Sequence, residues 1–189
     1  MSIKASRAVP AATGRGSAAQ PTRPPVRIVV MGVAGSGKSS VAEALASRFG
    51  ARFVEADQFH LPASIVKMSA GIALSDEDRW PWLTALLHEL TRGDDVVLAC
   101  SALRKSYRDL VRRAGGIRFV YLAVGRADVM RRVESRAGHF MGTSMVDSQF
   151  ATLERPGPDE TDVVMIDAAL PPAAVVEAAS AALGATTDR

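Results

Sequence analysis

The eight residues at positions 32–39 read Gly-Val-Ala-Gly-Ser-Gly-Lys-Ser, and they satisfy the pattern G-x-x-x-x-G-K-[ST]. Glycines allow the backbone of such a loop to curl closely around phosphate oxygens, because no Cβ atom stands in the way. The loop N–H groups and the positive end of a following helix then face the phosphates. Lys38 should reach the β- and γ-phosphates, and Ser39 should offer its hydroxyl to Mg²⁺. The pattern therefore predicts a binding site for a nucleoside triphosphate and its metal ion.

The segments that flank this loop support the same interpretation. Residues 26–31 form an apolar run that predicts a buried strand, and residues 40–49 carry apolar side chains at helical spacing. The alternative is a glycine-rich surface turn with an exposed lysine, which requires neither a strand before the motif nor a helix after it. We expect nucleotide contacts from Gly32, Val33, Ala34, Gly35, Ser36, Gly37, Lys38, Ser39 and Ser40.

A carboxylate stands at the end of the next apolar segment. Residues 51–57 predict a short strand that ends in Asp57, and ligands of open α/β sheets bind outside the carboxyl ends of the strands. Asp57 could serve a reaction there, or it could cap a helix, since Asp is a favoured N-cap residue. Position alone leaves these two interpretations about equal. The third predicted strand, residues 95–103, has no Asp at its end, so Asp57 is also the nearest substitute for the usual second magnesium-binding residue.

Several basic residues could contact an acceptor molecule near these strand ends. His60 and Lys67 lie in an irregular segment after Asp57, and either residue taken alone is more typical of a solvated surface. In the basic helix predicted after the third strand, Arg104 is favoured because it lies at the strand's carboxyl end. We assign Arg112 and Arg113 to a solvated face of that helix.

Residues 126–155 predict a mobile lid. Arg132 and Arg136 are four residues apart, so both lie on one face of a predicted helix. A lid that closes could bring these arginines onto the phosphates and exclude water, which would give both residues a catalytic role. The alternative is a charged stripe on the protein surface.

Composition and charge indicate the class of domain and limit the kinds of partner that this chain could bind. The chain has 189 residues, of which 23% are charged, an ordinary balance for one α/β domain with a proper core. The net charge of +3 comes from residues 1–25, which hold four basic residues and no acid. The rest of the chain is close to neutral and does not favour nucleic acid as a partner. No apolar run approaches the roughly 20 residues of a membrane-spanning helix.

Residues 1–25 are rich in Ala, Ser, Pro, Gly and Thr, which predicts a disordered basic tail. A targeting peptide is the alternative, but the segment lacks the continuous apolar core of a secretory signal, so we favour a cytoplasmic tail. The single cysteine, Cys100, has no partner for an internal disulfide, which fits a reducing compartment. In residues 26–189, strand-like and helix-like segments alternate, which predicts a single α/β domain built on a five-stranded parallel sheet flanked by helices.

Five blocks of sequence together resemble the gluconate kinases, or gluconokinases. The blocks read MGVAGSGKSS, EADQFHLPASIVKMSAGIALSDEDRWPWL, LACSALRKSYRDLVR, RAGHFM and SQFATLE, and they occur in this order between residues 27 and 154. The phosphate loop alone is generic, whereas the Lys-Met-x-x-Gly, Asp-Arg-x-Pro-Trp-Leu, Cys-Ser-Ala-Leu and Gly-His-Phe-Met blocks are far more specific.

The resemblance implies a P-loop fold like that of the nucleoside monophosphate kinases, with a mobile lid. It also implies ATP with Mg²⁺, phosphorylation of D-gluconate to 6-phosphogluconate, and a homodimer. On the matching positions, the residues that would face the sugar acid are Asp57, His60, Lys67, Arg79 and Arg104. The residues that match the lid block are Arg132, Arg136 and His139.

In this interpretation, Asp57 is the candidate base for the acceptor hydroxyl, and Arg79 or Arg104 anchors the carboxylate through planar two-point donation. Three rival functions are a kinase of another small acceptor such as shikimate or a different sugar acid, a nucleotide switch, and an ATP-binding protein without chemistry. The Asp-Arg-x-Pro-Trp and Gly-His-Phe-Met blocks argue against the last two, because a switch has no use for an acceptor pocket and an arginine lid.

Overall fold

The computed structural model describes residues 23–134 and 143–184. Five strands form one sheet in the order β2-β3-β1-β4-β5, and every neighbouring pair is parallel. The strands are β1 (Arg27–Met31), β2 (Arg52–Glu55), β3 (Val96–Ala99), β4 (Ile117–Ala123) and β5 (Val163–Asp167). The predicted five-stranded parallel sheet is therefore confirmed.

Within the described ranges, seven helices and one 3₁₀ turn connect or follow these strands. The helices are α1 (Lys38–Phe49), α2 (Pro62–Ser69), α3 (Asp76–Leu90), α4 (Lys105–Arg112), α5 (Arg126–Glu134), α6 (Thr143–Thr152) and α7 (Pro172–Gly184), and the 3₁₀ turn spans Ala56–Phe59. The third strand is shorter than predicted, because its pairing ends at Ala99 and the following residues form the loop that leads into α4.

The central strand β1 shows how the sheet is buried on both faces. Its side chains alternate in direction, as in any strand. Ile28 and Val30 belong to the apolar cluster that includes α1 and α7, whereas Val29 and Met31 belong to the cluster that includes α3 and α4. All four side chains are at most 2% exposed. Burial on both faces explains the continuous apolar run that predicted this strand.

A buried ion pair supports the loop between β3 and α4. The Arg108 side chain is fully buried and donates to both carboxylate oxygens of Glu160, at 2.6 and 2.7 Å. Its remaining donor contacts the carbonyl oxygens of Ala102 at 3.1 Å and Leu103 at 3.3 Å. Ala102 has φ of +43°, a left-handed conformation that is strained for alanine. Arg108 therefore helps to hold this strained loop, which also contains Ser101 and Leu103.

The prediction that Arg112 lies on a solvated helix face was wrong. Its guanidinium group donates to Asp162 at 2.7 Å and to Glu160 at 2.7 Å, and it stacks over the Phe119 ring at 5.0 Å. Arg113 is exposed, as predicted. The two neighbouring arginines differ because consecutive residues point to different sides of a helix, and only Arg112 faces the acids in the loop before β5.

Most of the predicted tail, residues 1–22, lies outside the described residues. At position 23 the arginine forms an ion pair with Asp95, which also accepts a hydrogen bond from the Val26 amide at 2.7 Å. Within the described ranges, none of the helices combines the length and the apolar character that a membrane crossing requires.

Candidate active site

The predicted phosphate loop lies between β1 and α1. Gly35 and Gly37 have φ of +76° and +95°, values that side chains disfavour. A Cβ atom at Gly35 would also lie 3.1 Å from Cγ1 of Val129. Gly37 is the N-cap of α1 and supplies no side-chain cap, so the first N–H groups of the helix are open to an anion. The backbone of this loop therefore fits a phosphate group.

Lys38 begins α1 and is half-buried beside the loop. Its Nζ atom donates to the Val33 carbonyl oxygen at 3.0 Å. Burial lowers the pKa of this ammonium group from its ordinary value, and the Asp57 carboxylate is the main group that opposes the change. A lysine held against an uncharged carbonyl oxygen, with carboxylates nearby, can exchange that contact for a phosphate oxygen.

A cavity of about 210 Å³ opens next to the loop. It brings together seven of the predicted site residues, which come from the phosphate loop, α1, the 3₁₀ turn, the segment after it and α3: Ala34, Gly35, Lys38, Ser39, Asp57, His60 and Arg79. Other residues of its wall include Glu55, Trp82, Ser101, Leu103 and Gln149. Residues of the phosphate loop and residues predicted to contact the acceptor thus share one cavity.

Asp57 lies directly after β2, inside the turn Ala56–Phe59, and its side chain is 65% exposed. The N-cap of this turn is Glu55, and no side chain makes a cap hydrogen bond there. The structure therefore does not support the alternative in which Asp57 is an N-cap. Its carboxylate faces the cavity and is open to a ligand.

His60 is stacked on the indole ring of Trp82, with ring centroids 4.4 Å apart and planes inclined by 11°. Its side chain is 6% exposed, and Nε2 lies 3.8 Å from Oδ1 of Asp57, beyond hydrogen-bond distance. Burial lowers the pKa of the imidazole, although Asp57 opposes the effect, so His60 is neutral at pH 7. The Nδ1 atom is buried without a hydrogen-bond partner among the described residues.

The predicted substrate residue Arg79 lies in the cavity wall, with a side chain that is 17% exposed. Its guanidinium group donates to the Leu74 carbonyl oxygen at 2.6 Å and to the Tyr107 hydroxyl at 3.3 Å. It also lies over the Tyr107 ring, 5.7 Å from the ring centroid. These contacts fix the direction of the side chain and leave other N–H donors for a ligand.

Arg104 and Lys67 do not line the cavity. Arg104 donates to Asp76 at 2.8 Å, and Lys67 donates to both oxygens of Asp78, at 2.7 and 2.8 Å. Both acids belong to the first turn of α3, where the helix dipole favours negative charge. Each of these two cations therefore already has a carboxylate partner within the protein.

A second cavity of about 540 Å³ also borders the phosphate loop, and Gly35 lines both cavities. Its wall includes the loop residues Gly35, Ser36 and Gly37, together with Ser40 and apolar side chains of the β5–α7 connection. Arg132 lines the same cavity, and its guanidinium group donates to the Ala168 carbonyl oxygen at 2.5 Å. The predicted lid residues Arg136 and His139 lie outside the described residues.

Helix α6, in the second half of the predicted lid, packs on the body of the protein. Val146 is fully buried in the cluster that contains β1 and α1, and Phe150 packs against the same cluster. The movement predicted for residues 126–155 stays a prediction.

Several residues of the cavity wall were not predicted from the sequence, and Gln149 and Trp82 are two of them that make specific contacts. Gln149 accepts a hydrogen bond from the Ala34 amide through Oε1 at 2.6 Å. Trp82 has a buried indole ring, and its Nε1 donates to the Ala56 carbonyl oxygen at 2.7 Å. The same ring stacks against His60. Gln149 lies in the block SQFATLE, but the sequence assigned it no role, because a motif does not show which group its polar side chain contacts.

The side chains near the phosphate loop also indicate how Mg²⁺ could be bound. Among the residues that the structure describes, no group of three or more His, Cys, Asp or Glu side chains could hold a metal ion by itself. Ser39 is exposed in the first turn of α1 and lines the first cavity, next to the loop that fits a phosphate. One hydroxyl together with phosphate oxygens and waters suits Mg²⁺, which seldom uses an all-protein site.

Comparison with known proteins agrees with this geometry. A family model for shikimate kinase matches residues 34–183. The probable gluconokinase of Schizosaccharomyces pombe is 44% identical over 159 residues, covering 77% of this chain and 82% of the relative. The gluconokinase of Gluconobacter oxydans is 48% identical over 139 residues, covering 70% and 78%. The crystal structure of a gluconokinase from Sinorhizobium meliloti 1021 matches with a TM-score of 0.76 and 46% identity, covering 82% of this chain and 89% of that one.

The shikimate kinase match spans the P-loop kinase domain that such enzymes share, whereas the high identities are to proteins named gluconokinase. The structural match, the phosphate loop and the shared blocks point in the same direction. This chain therefore belongs to the gluconokinase family of P-loop kinases.

Proposed function

We propose that this protein transfers the γ-phosphoryl group of ATP to the 6-hydroxyl of D-gluconate, giving 6-phospho-D-gluconate and ADP. The observation that carries the proposal is the single cavity shared by Lys38 and Ser39 of the phosphate loop with Asp57, His60 and Arg79. A small polyhydroxy acid needs one end beside the phosphate and a cation at the other, and this cavity offers both.

ATP is the proposed phosphate donor. The loop of residues 32–40 binds its phosphates, chiefly through the open backbone N–H groups at the start of α1, and the apolar cavity wall between the loop and α7 accepts the adenine base. Lys38 contacts the β- and γ-phosphates. Arg132 and Arg136 offset negative charge near the phosphates, with Arg132 extending from α5 beside the loop. Mg²⁺, held by Ser39 and the phosphates, supplies charge neutralisation at the phosphate oxygens.

Asp57 is the proposed base. Its exposed carboxylate accepts the proton of the 6-hydroxyl as that oxygen forms a bond to the γ-phosphorus. The bond between the γ-phosphorus and the β–γ bridging oxygen breaks, and ADP leaves with the electron pair. The proton thus moves from the sugar acid to Asp57, and the phosphoryl group moves from ATP to the sugar acid.

Arg79 is the preferred anchor for the gluconate carboxylate. Its guanidinium group lies in the cavity wall and is 4.0 Å from Asp76 of α3, beyond hydrogen-bond distance, whereas Arg104 and Lys67 donate directly to acids of α3. A planar guanidinium can donate two parallel hydrogen bonds to a carboxylate. We propose that Arg104, Lys67 and His139 make secondary contacts, and that the buried Nδ1 of neutral His60 bonds a sugar hydroxyl.

We also propose a cytoplasmic homodimer. An apolar patch on and beside α2 would suit a contact between two copies, since Leu61, Ile65, Val66 and Ile72 are each at least 48% exposed. Use of ATP as the donor fits the cytoplasm. Light scattering after gel filtration should give about twice the 20.0 kDa mass of one chain, and Val66→Glu should shift the mass toward one chain. A wild-type mass of one chain would contradict the dimer.

A coupled ADP-release assay tests the function. We expect Mg-ATP turnover to depend on D-gluconate and to be far slower without an acceptor. Shikimate and other sugar acids belong in the same panel, because the family model that matches the chain describes shikimate kinase. Equal turnover with and without D-gluconate, or faster turnover with shikimate, would overturn the proposal. Identification of 6-phosphogluconate by mass spectrometry would establish the product.

A further inference from the structure

Gln149 links α6 to the phosphate loop over a sequence distance of 115 residues. Its Oε1 atom accepts a hydrogen bond from the Ala34 amide at 2.6 Å, and Ala34 is the third residue of the eight-residue phosphate motif. Backbone N–H groups of this loop are the groups expected to bind phosphate. The Gln149 side chain, which lies outside the motif, therefore already forms a hydrogen bond to the phosphate loop.

The orientation of the carboxamide follows from this contact. A backbone N–H can only donate, so the oxygen of the Gln149 side chain must face Ala34 and the NH₂ group must face the other way. Gln149 also lines the cavity that contains Lys38 and Asp57. Within the described part of the chain, its Nε2 atom makes no hydrogen bond to protein, so two donors remain for a ligand.

The helix that carries Gln149 is fixed at several points. Val146 is fully buried, and Glu154, just after the helix, accepts a hydrogen bond from the Lys105 amide at 2.7 Å. The Glu154 amide in turn donates to the Leu103 carbonyl oxygen at 2.8 Å. These contacts connect α6 to the loop after β3 as well as to the phosphate loop. A donor on α6 is therefore pre-positioned between the two sides of the cavity.

We propose that Gln149 is a further catalytic residue, whose Nε2 atom donates a hydrogen bond to the γ-phosphoryl group of ATP while Oε1 holds the Ala34 amide. This inference rests on the proposed kinase function. A neutral carboxamide suits the role, because it supplies both an acceptor for the loop and a donor for the phosphoryl oxygen without adding negative charge. A carboxylate at this position could still accept from Ala34 but could not donate when ionised.

Two variants separate this role from a purely structural one. Gln149→Glu keeps the acceptor for Ala34 and removes the donor, and Gln149→Met removes both at similar size. We expect both variants to lose at least about tenfold in kcat, as expected when a hydrogen bond to a charged group is lost. Both should also bind the ATP analogue AMP-PNP at least about tenfold more weakly while their ADP affinity stays near wild type. Thr152→Ala, on the same helix and outside the cavity wall, should match wild type.

Wild-type kcat and an unchanged AMP-PNP to ADP affinity ratio in Gln149→Glu would overturn the proposal, because the bond to Ala34 alone would then suffice. Loss in Gln149→Glu but not in Gln149→Met would also overturn it, since charge repulsion would explain the effect. The nucleotide affinities need no acceptor, so they test Gln149 even if D-gluconate is not the substrate. Thermal unfolding with and without ADP shows whether each variant is folded.

Discussion

Asp57 is the exposed carboxylate that the structure places just beyond β2, in the wall of the cavity next to Lys38. If it is the base, Asp57→Asn should reduce kcat by about a hundredfold or more, because general-base catalysis contributes about that much. Turnover by ADP release at saturating ATP and D-gluconate is the measurement. The affinity for ADP should change little.

Asp94→Asn is a suitable control for this substitution. Asp94 is paired with Arg52 on the surface, outside the cavity wall, so its loss of charge should leave kcat near the wild-type value. Turnover of Asp57→Asn within a few fold of wild type would eliminate Asp57 as the base.

Lys38 allows function and stability to be separated at one position. Its ammonium group has a lowered pKa because it is desolvated, so the charged form is unfavourable in the folded protein without a phosphate partner. We expect Lys38→Met to abolish phosphoryl transfer and to leave the melting temperature equal to or higher than that of wild type. Differential scanning calorimetry and the ADP-release assay measure the two effects. Retained activity would contradict the nucleotide site, and a much lower melting temperature would contradict the electrostatic argument.

At the scale of elements, the link between α4 and the turn before β5 depends on the buried Arg108–Glu160 pair. Hydrogen bonds from Arg108, and secondarily from Arg112, lower the pKa of Glu160 from 4.5 to about 2. The folded protein therefore keeps this carboxylate ionised at pH values where the unfolded chain protonates it. The stabilisation is complete above the unfolded pKa of 4.5 and is lost as the pH falls toward 2, and it amounts to about 3 kcal/mol.

Glu160→Gln should lower the free energy of unfolding at pH 7 by roughly 3–5 kcal/mol, because it leaves the Arg108 charge buried without its partner. Urea unfolding of wild type and variant measures this difference, which should shrink between about pH 5 and pH 3. Glu177→Gln, which breaks an exposed pair with Arg48, is the matched control and should have little effect. A difference for Glu160→Gln that stays constant with pH would show that the carboxylate is not the source of the stabilisation.

At the scale of the whole molecule, the two cavities both border the phosphate loop, with Gly35 in the wall of each. Acceptor-side residues line the first, whereas the second is bounded by α5 and the connection from β5 to α7. All of these elements are attached to the carboxyl ends of parallel strands, where the strand order places β1 between β3 and β4. The sheet thus brings the elements that line both cavities next to the phosphate loop, as the proposed transfer between ATP and an acceptor requires.

Nucleotide binding should therefore stabilise the entire domain. At a free ADP concentration of 100 times Kd, with Mg²⁺ present, binding should add about 2.7 kcal/mol to the free energy of unfolding. For a chain of this size the melting temperature should rise by roughly 5–10 °C. Thermal unfolding with Mg-ADP, with Mg²⁺ alone and with D-gluconate alone measures the effect. No rise at saturating Mg-ADP would contradict the assignment of the phosphate loop.

The sequence by itself determined the order of strands and helices, the phosphate loop and the family resemblance. These features are local: burial on both faces of β1 requires a continuous apolar run, and the turn into α1 requires glycines at positions 35 and 37. The capping box that begins α3 is equally local, because Ser75 and Asp78 satisfy each other's backbone N–H groups within one turn. Such patterns can be identified without knowing which distant residues meet.

Only the tertiary structure decided which charges and polar groups meet. The sequence favoured Arg79 or Arg104 equally as the carboxylate anchor and offered Lys67 as a further substrate residue. Folding placed Arg79 in the cavity wall, whereas Arg104 donates to Asp76 and Lys67 donates to Asp78. The burial of Arg108 against Glu160 joins residues 52 positions apart. The residue type determines the chemistry of a side chain. Its partner depends on how the sheet brings remote segments together, and neither composition nor spacing along the chain contains that information.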